Sequence, residues 1–296
     1  AGLLVMLKHR PELIYTTGGP ASAHLSGLIL SKLFRCPIMC EIQDPLSGDG
    51  IGRNIKSKKY LSIIESEILK RASLSIYCTK NAAANAKKKY PTANIKYIYP
   101  GSPTQQFQKI KTPSDDKKIR LVHLGSLYQT RNFDTLIKAV KMISKNCKAI
   151  NSELLLENVG HVINEEIKER LLCHNKLVKL TPIMSRKQAL QYVAGCDFLL
   201  LIQNNDGRSQ STIPFKIYDY LHLGIPILGL IGDNSEIKEI LENHGHFVCD
   251  VSSPLSISKK LIEILSKKNI KQKPSELTSN AAAIQMVQLA SKIKYS

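Results

Sequence analysis

Short apolar runs recur along this chain and alternate with longer stretches whose apolar positions return every three or four residues. The runs lie near 13–17, 37–42, 74–78 and 95–99, then near 119–124, 153–158, 177–181, 197–202, 226–230 and 246–249. A short run that is apolar throughout predicts a strand buried on both faces, the pattern of a parallel sheet. The stretches between them, near 21–34, 55–71 and 80–90 in the first part, carry the helical period. Strand and helix in alternation predict an α/β architecture with helices on both faces of parallel sheets. The pattern breaks between Tyr99 and Lys118, where Pro100, Gly101, Pro103 and Pro113 occur without periodicity, so this segment predicts a linker. Three parts follow: a first domain over 1–108, a second over 109–274, and a terminal, Ala-rich helix within 275–296. The opening Leu3-Leu4-Val5-Met6-Leu7 reads as the end of a helix.

The most informative stretch lies between Asp197 and Leu228. Asp197-Phe198-Leu199-Leu200-Leu201-Ile202 predicts a buried strand, and a polar loop leads from it into a helix. Pro214 suits the first turn of that helix, where its missing N–H removes nothing, and Gly224 with Pro226 stops it. A helix that begins at the carboxyl end of a parallel strand turns its free N–H groups and positive dipole end toward any anion there. Lys216 and Asp219, three apart, share one face. Without a ligand the same pattern describes an amphipathic helix with a Lys–Asp pair on its surface.

Lys216-Ile217-Tyr218-Asp219-Tyr220-Leu221 followed by Gly224-x-Pro226 resembles the donor-site segment of family 4 glycosyltransferases, which have the GT-B fold and transfer sugars from nucleotide-sugar donors. Other segments resemble that family in the same order. They include Pro11-Glu12-Leu13-Ile14-Tyr15 with Gly18-Gly19-Pro20, Cys36-Pro37-Ile38 through Gln43-Asp44, Ile95 through Pro100-Gly101, and Leu121-Val122-His123-Leu124-Gly125-Ser126 with Arg131-Asn132. The resemblance spans nearly the whole chain and implies two Rossmann-like domains facing across a crevice, with the last helix crossing back to the first. A domain of this family opens with a strand and a Gly-rich loop, so the first domain here is expected to be incomplete.

The resemblance also implies roles. Asp219 would bind the donor ribose. Eight positions upstream, where the family has a sugar-contacting Glu, this chain has Ser211, followed by Thr212. Arg131 would bind the donor pyrophosphate, with Ser126 at a place where the family often has a second basic residue. Backbone around Thr181-Pro182-Ile183 would meet the base, so Ile183 joins the donor set. The implied reaction is retaining and needs no metal or other cofactor, with Arg131, Lys216 and helix amides stabilising the leaving diphosphate.

The loops also have readings of their own. Gly125 ends a strand and lets backbone approach a ligand closely, and the fork of Arg131 suits phosphate oxygens. Arg131 is alternatively a solvated residue near a helix start. Gly160, ahead of His161, ends the next strand and could approach sugar or phosphate. Asp44 closes a strand of the first domain, where a carboxylate could orient an acceptor hydroxyl, or could cap a turn. Gly18 and Gly19 follow another strand with the freedom to line the acceptor side.

Composition narrows the class. At 296 residues and 43% hydrophobic the chain can bury two cores. No apolar stretch approaches the roughly 20 residues of a bilayer span. Seven scattered cysteines without a CxxC read as core residues of a reducing compartment, not as a disulfide or zinc set. The net charge is +18, and residues 1–110 hold 16 Lys/Arg against 6 Asp/Glu, densest at Lys56/Lys58/Lys59, Lys70/Arg71 and Lys87-Lys88-Lys89. Such a surface attracts an anionic bilayer, at about 1 kcal/mol per basic residue; codon bias in a Lys-, Ile- and Asn-rich chain gives the same count.

A nucleic-acid partner is not expected, since aromatics are 6% with no Trp and the basic residues do not interleave with stacking side chains. The expectation is a cytoplasmic glycosyltransferase, peripheral on the inner face of a membrane. It would move a sugar from a nucleotide-sugar to a glycan or lipid-linked acceptor in cell-surface polysaccharide synthesis. The alternatives are a non-catalytic or truncated protein of the same fold and a GT-B sugar-nucleotide epimerase.

Overall fold

The computed structural model describes all residues except 19, 47–54, 104–117, 147–153, 205–208, 267–269, 271, 273–274 and 294–296. Most of the expected linker, both expected domain boundaries and Gly19 lie outside the described residues. The chain forms two units, one made of Ala1–Gly101 and Leu277–Ser296, the other of Ser102–Glu276.

The first unit opens with α1 (Gly2–His9), β1 (Ile14–Gly18), α2 (Ala21–Phe34), β2 (Ile38–Ile42) and α3 (Ile55–Arg71). It continues with β3 (Leu74–Tyr77), α4 (Lys80–Lys89) and β4 (Ile95–Tyr97). The strands pair in parallel in the order β1-β2-β3-β4. Successive residues of β2 feed opposite faces, as a strand period of two requires. Ile38, Cys40 and Ile42 pack with Ile64 and Ile68 of α3 and Ala82 of α4. Met39, with Leu74 and Ile76, packs instead on Ala282 of the terminal helix Ser279–Ala290. Thr278 caps that helix, its Oγ1 accepting from Ala281 N at 3.0 Å.

The second unit has β5 (Ile119–Leu124), α5 (Asp134–Asn146), β6 (Leu154–Val159), α6 (Glu165–Leu172), β7 (Val178–Thr181) and α7 (Arg186–Val193). Then come β8 (Phe198–Ile202), α8 (Lys216–Leu223), β9 (Ile227–Ile231), α9 (Ser235–Asn243), β10 (Phe247–Asp250) and α10 (Pro254–Ser266). All six strands are parallel in the order β10-β9-β8-β5-β6-β7. Every residue of β8 and β9 is buried, which is why those runs are apolar without alternation. One core joins Leu121, Leu156 and Leu200 of the sheet to Leu136 and Val140 of α5, Ile167 of α6 and Leu261 of α10.

The strand order reverses beside β5, whose neighbours are β6 and β8. Chains leaving β5 and β8 therefore diverge and open a crevice at their carboxyl ends, the position at which such sheets bind ligands.

Candidate functional site

The crevice of the second unit is built from the loops after β5, β6 and β8. Gly125 follows β5 with φ +113°, and Gly160 follows β6 with φ +142°, a region disfavoured for residues with a Cβ. A Cβ on Gly160 would lie 2.5 Å from the Gly125 carbonyl oxygen, so the two loops meet backbone to backbone. Bare backbone at the end of β5 leaves room for a ligand to approach.

Lys216, the first residue of α8, lies half-buried beside this backbone. Its Nζ donates to the Leu124 carbonyl and to His123 Nε2, both at 2.7 Å. Tyr220, one turn later on the same face, accepts from Leu124 N at 2.9 Å. Helix α8 thus engages both backbone groups of Leu124 and fixes the end of β5. The helix starts two residues later than Pro214 suggested. Pro214 and Phe215 carbonyls accept from Ile217 and Tyr218 N–H groups in a tight i→i+3 turn that precedes it. Gly224, in the left-handed region, ends α8 as expected.

Burial pushes the Lys216 ammonium well below the usual lysine range, and the positive charge of Arg131 adds to the effect. Burial likewise holds His123 well below its usual value, reinforced by Lys216 and Arg131 and opposed by its bond to Asn158. Arg131 sits in a turn closed by mutual backbone bonds with Tyr128, and its guanidinium lies 5.1 Å over the Tyr128 ring. Its Nε is buried without a hydrogen-bond partner. Two cations held close with one donor unmet form a site that an anion would complete.

Asp219 is occupied. Arg186 of α7 grips both its carboxylate oxygens, through Nη2 to Oδ1 and through Nε to Oδ2 at 3.2 Å, and Ser102 Oγ donates to Oδ1. Lys216 and Asp219 therefore do not form the surface pair that their spacing allows. A carboxylate has about four acceptor positions, so Asp219 keeps capacity for one further donor.

The loop with Ser211 and Thr212 is held by Asn234, whose Nδ2 donates to the carbonyls of Ser209 and, at 3.1 Å, Thr212. The Oδ1 of the same Asn234 caps α9, accepting from Ile237 N at 2.9 Å. Ser126 is half-buried in the loop after Gly125, and Ile183 is 76% exposed in the loop after β7.

Gly18 and Asp44 belong to the first unit. Gly18 ends β1, its carbonyl accepting from His24 Nε2 at 3.3 Å. Asp44 is exposed in a bend after β2. Beside these strand ends Glu41 Oε2 accepts from both Tyr15 and Thr17 hydroxyls.

His123, Asn158, Arg186 and Asn234 were missed by reasoning from sequence. A polar residue two positions before a strand-closing glycine, as in His123-Leu124-Gly125 and Asn158-Val159-Gly160, was the available signal for the first pair.

Residues 104–283 match the family model described as Glycosyl transferases group 1. No curated protein gives a sequence match. The fold is similar to that of HepE from Anabaena in complex with UDP and glucose, at 16% identity over 99% of this chain and 81% of that chain, with a TM-score of 0.67. It is similar to sucrose-phosphate synthase from Thermosynechococcus elongatus, at 13% identity over 98% and 75%, TM-score 0.70. A putative UDP-N-acetylglucosamine 2-epimerase from Listeria monocytogenes shares it at 14% identity over 96% and 75%, TM-score 0.59. At these identities the likeness is one of fold: α/β units with parallel sheets, of the GT-B kind.

Proposed function

Because the chain belongs to the glycosyl transferases group 1 family, we propose that it transfers a sugar from a nucleoside-diphosphate sugar, seated in the second unit, to a glycan or lipid-linked acceptor. The observation that carries this reading is that Lys216 Nζ, held at the bare backbone of Gly125, lies within the positive field of Arg131, whose buried Nε has no hydrogen-bond partner. That arrangement suits a diphosphate. As the bond from sugar to diphosphate breaks, negative charge grows on the leaving oxygens, and two fixed cations out of water stabilise it more than they stabilise the ground state. We read the reaction as needing no metal. The neighbour HepE, solved with UDP and glucose, lends the donor class to this proposal.

In the same reading Gly160 and Ser126 flank the phosphates, Ser211 and Thr212 approach the sugar, Asp219 meets the ribose and backbone at Ile183 meets the base. Asp44, Gly18 and Gly19 serve the acceptor. Membership of family 4, retention at the sugar carbon and a role in cell-surface polysaccharide synthesis belong to the proposal as well. So does peripheral membrane attachment. Among the described residues no helix is long and apolar enough to cross a membrane, while Lys56, Lys59, Lys70 and Lys87-Lys88-Lys89 are exposed on α3 and α4. Attachment through charge would show as vesicle binding at low salt that is lost near 1 M, where the Debye length is only about 3 Å.

Calorimetric titration with UDP and GDP tests the site. Charge-assisted contacts contribute about 1.5–3 kcal/mol each, so Arg131→Ala and Lys216→Ala should each weaken binding by roughly tenfold or more. Unchanged affinity in both variants would remove the diphosphate from this site. The epimerase fold-likeness makes a second assay useful. Incubation with UDP-sugar and no acceptor should give no epimer, and accumulation of one would replace the transferase reading.

A further inference from the structure

His123 is fully buried in the second unit, yet the proposed reaction assigns it nothing. Parallel pairing of β5 with β6 sets His123 directly opposite Asn158, and the two side chains meet at 2.7 Å between Nδ1 and Oδ1. The polarity of that bond follows from the far end of the chain of contacts. Asn158 Nδ2 lies 3.2 Å from the Gly160 carbonyl, which can only accept, so the Asn158 amide turns its Oδ1 toward the ring. An acceptor on that side requires His123 to carry its proton on Nδ1. Nε2 is then a lone pair, facing Lys216 Nζ at 2.7 Å. The Phe133 ring packs against the imidazole at close to a right angle, with ring centroids 6.3 Å apart.

Resting on the diphosphate reading above, we infer that His123, oriented by Asn158, is a positioning residue that aims Lys216 at the diphosphate. A lysine ammonium has three N–H groups. Two are taken by His123 Nε2 and the Leu124 carbonyl, both rigid acceptors of β5, and they leave the third a single direction. The place a Gly125 Cβ would occupy lies 3.4 Å from Nζ, so that group stands at the open backbone where the ligand approaches.

The same contact governs charge. Lys216 meets His123 and the Leu124 carbonyl from β5 and the positive Arg131 from the turn before α5, while Asp219 of its own helix is held by Arg186 and Ser102. His123 meets Lys216, Arg131, Asn158 and Phe133. Burial and the positive Arg131 disfavour the ammonium in the empty site, and an anionic diphosphate beside it favours that charged form. Affinity should then fall as pH rises through the free Lys216 value. Removing the His123 acceptor disfavours the ammonium further and shifts that fall to lower pH.

The test is UDP titration calorimetry from pH 6 to 9 in two buffers of different ionisation enthalpy. It uses the full chain, His123→Phe and His123→Gln, the last supplying an amide acceptor. Wild type should take up protons on binding. His123→Phe should bind about tenfold more weakly at pH 8, the loss of one hydrogen bond to a charged group, and its pH profile should move acid-ward. His123→Gln should recover part of both. A wild type that binds no nucleoside diphosphate sinks the site reading itself. A wild type that binds, with His123→Phe matching it in affinity and pH profile, overturns the positioning role alone. Should the variants not fold, nitrogen-15 shifts of His123 in the unaltered protein decide: a proton on Nε2 rather than Nδ1 overturns the inference.

Discussion

Replacing Gly160 by alanine tests the geometry on which the donor site rests. The added Cβ would sit 2.5 Å from the Gly125 carbonyl oxygen and 2.8 Å from its carbon, where ordinary contacts need about 3.4 Å or more. Both atoms are backbone, so no rotamer relieves the overlap, and the β5 and β6 loops must part by several tenths of an ångström. Positive φ costs about 1–2 kcal/mol for a residue with a Cβ, and overpacking of this kind about 1–3 kcal/mol more. A loss of roughly 3 kcal/mol follows. In a unit of this size that lowers Tm by about 6–12 °C. Because Gly125 N also bonds the Val159 carbonyl at 2.9 Å, the displacement reaches the end of β5, and UDP affinity should fall with stability. Gly125→Ala is the control. Its Cβ would meet only the Lys216 ammonium, at 3.4 Å, so it should cost about 1–2 kcal/mol, mostly from its backbone angle, while still blocking the ligand. Thermal unfolding and calorimetry on both variants settle the matter. Wild-type Tm and affinity in Gly160→Ala, or a greater loss of stability in Gly125→Ala, would refute the backbone contact.

Asp219→Asn should weaken UDP binding and also release Arg186, whose grip on both carboxylate oxygens it halves. Arg186→Ala, which frees Asp219 for the ribose, should strengthen binding or leave it unchanged, and a loss as large as that of Asp219→Asn would assign Arg186 itself to the ligand. Acid should destabilise the second unit in two stages, measurable as Tm against pH. Burial, helped by His244, lowers His246 to about 4, so its contribution is complete above the usual histidine value and lost as pH falls toward 4. At about 1.36 kcal/mol per pKa unit this amounts to roughly 3 kcal/mol, and His246→Gln should flatten that part of the curve. An equally steep fall in the variant would exclude His246. Burial raises Glu157, but bonds from Thr181, Tyr192 and Arg120 outweigh it and hold the carboxyl below its usual value. Its stabilisation is complete above the usual glutamate value and disappears only as pH falls through the lower folded value, so Glu157→Gln should blunt the second stage.

The central strands β8 and β9 were legible because they are buried on both faces, so their runs are apolar from end to end and their limits show in the sequence. Observed β5, Ile119–Leu124, coincides with the run that predicted it, although Arg120 and His123 interrupt the run. Lys216 and Gly125 were legible for a related reason: a glycine closing a strand and a lysine opening a helix both lie at carboxyl ends, where ligands bind in such sheets. The contacts that tune these residues depend on register instead. His123 of β5 meets Asn158 of β6 across 35 positions, and no local period encodes how far one parallel strand slides along another; Asp219 of α8 meets Arg186 of α7 across 33, a contact between helices that no local period encodes either.

Once the register is known, a pattern in the sequence acquires meaning. His123-x-Gly125 and Asn158-x-Gly160 are the same polar-x-Gly step at the ends of adjacent strands, and equal offsets in paired parallel strands place both polar groups on one face and both glycines at one edge. The glycines make the backbone contact, and the polar pair beneath them sets the proton that determines how Lys216 is held. A shift of register by one residue would send His123 and Asn158 to opposite faces and take from the ring the acceptor that sets its proton. The pairing of β5 with β6 therefore carries the chemistry of the crevice as well as the fold.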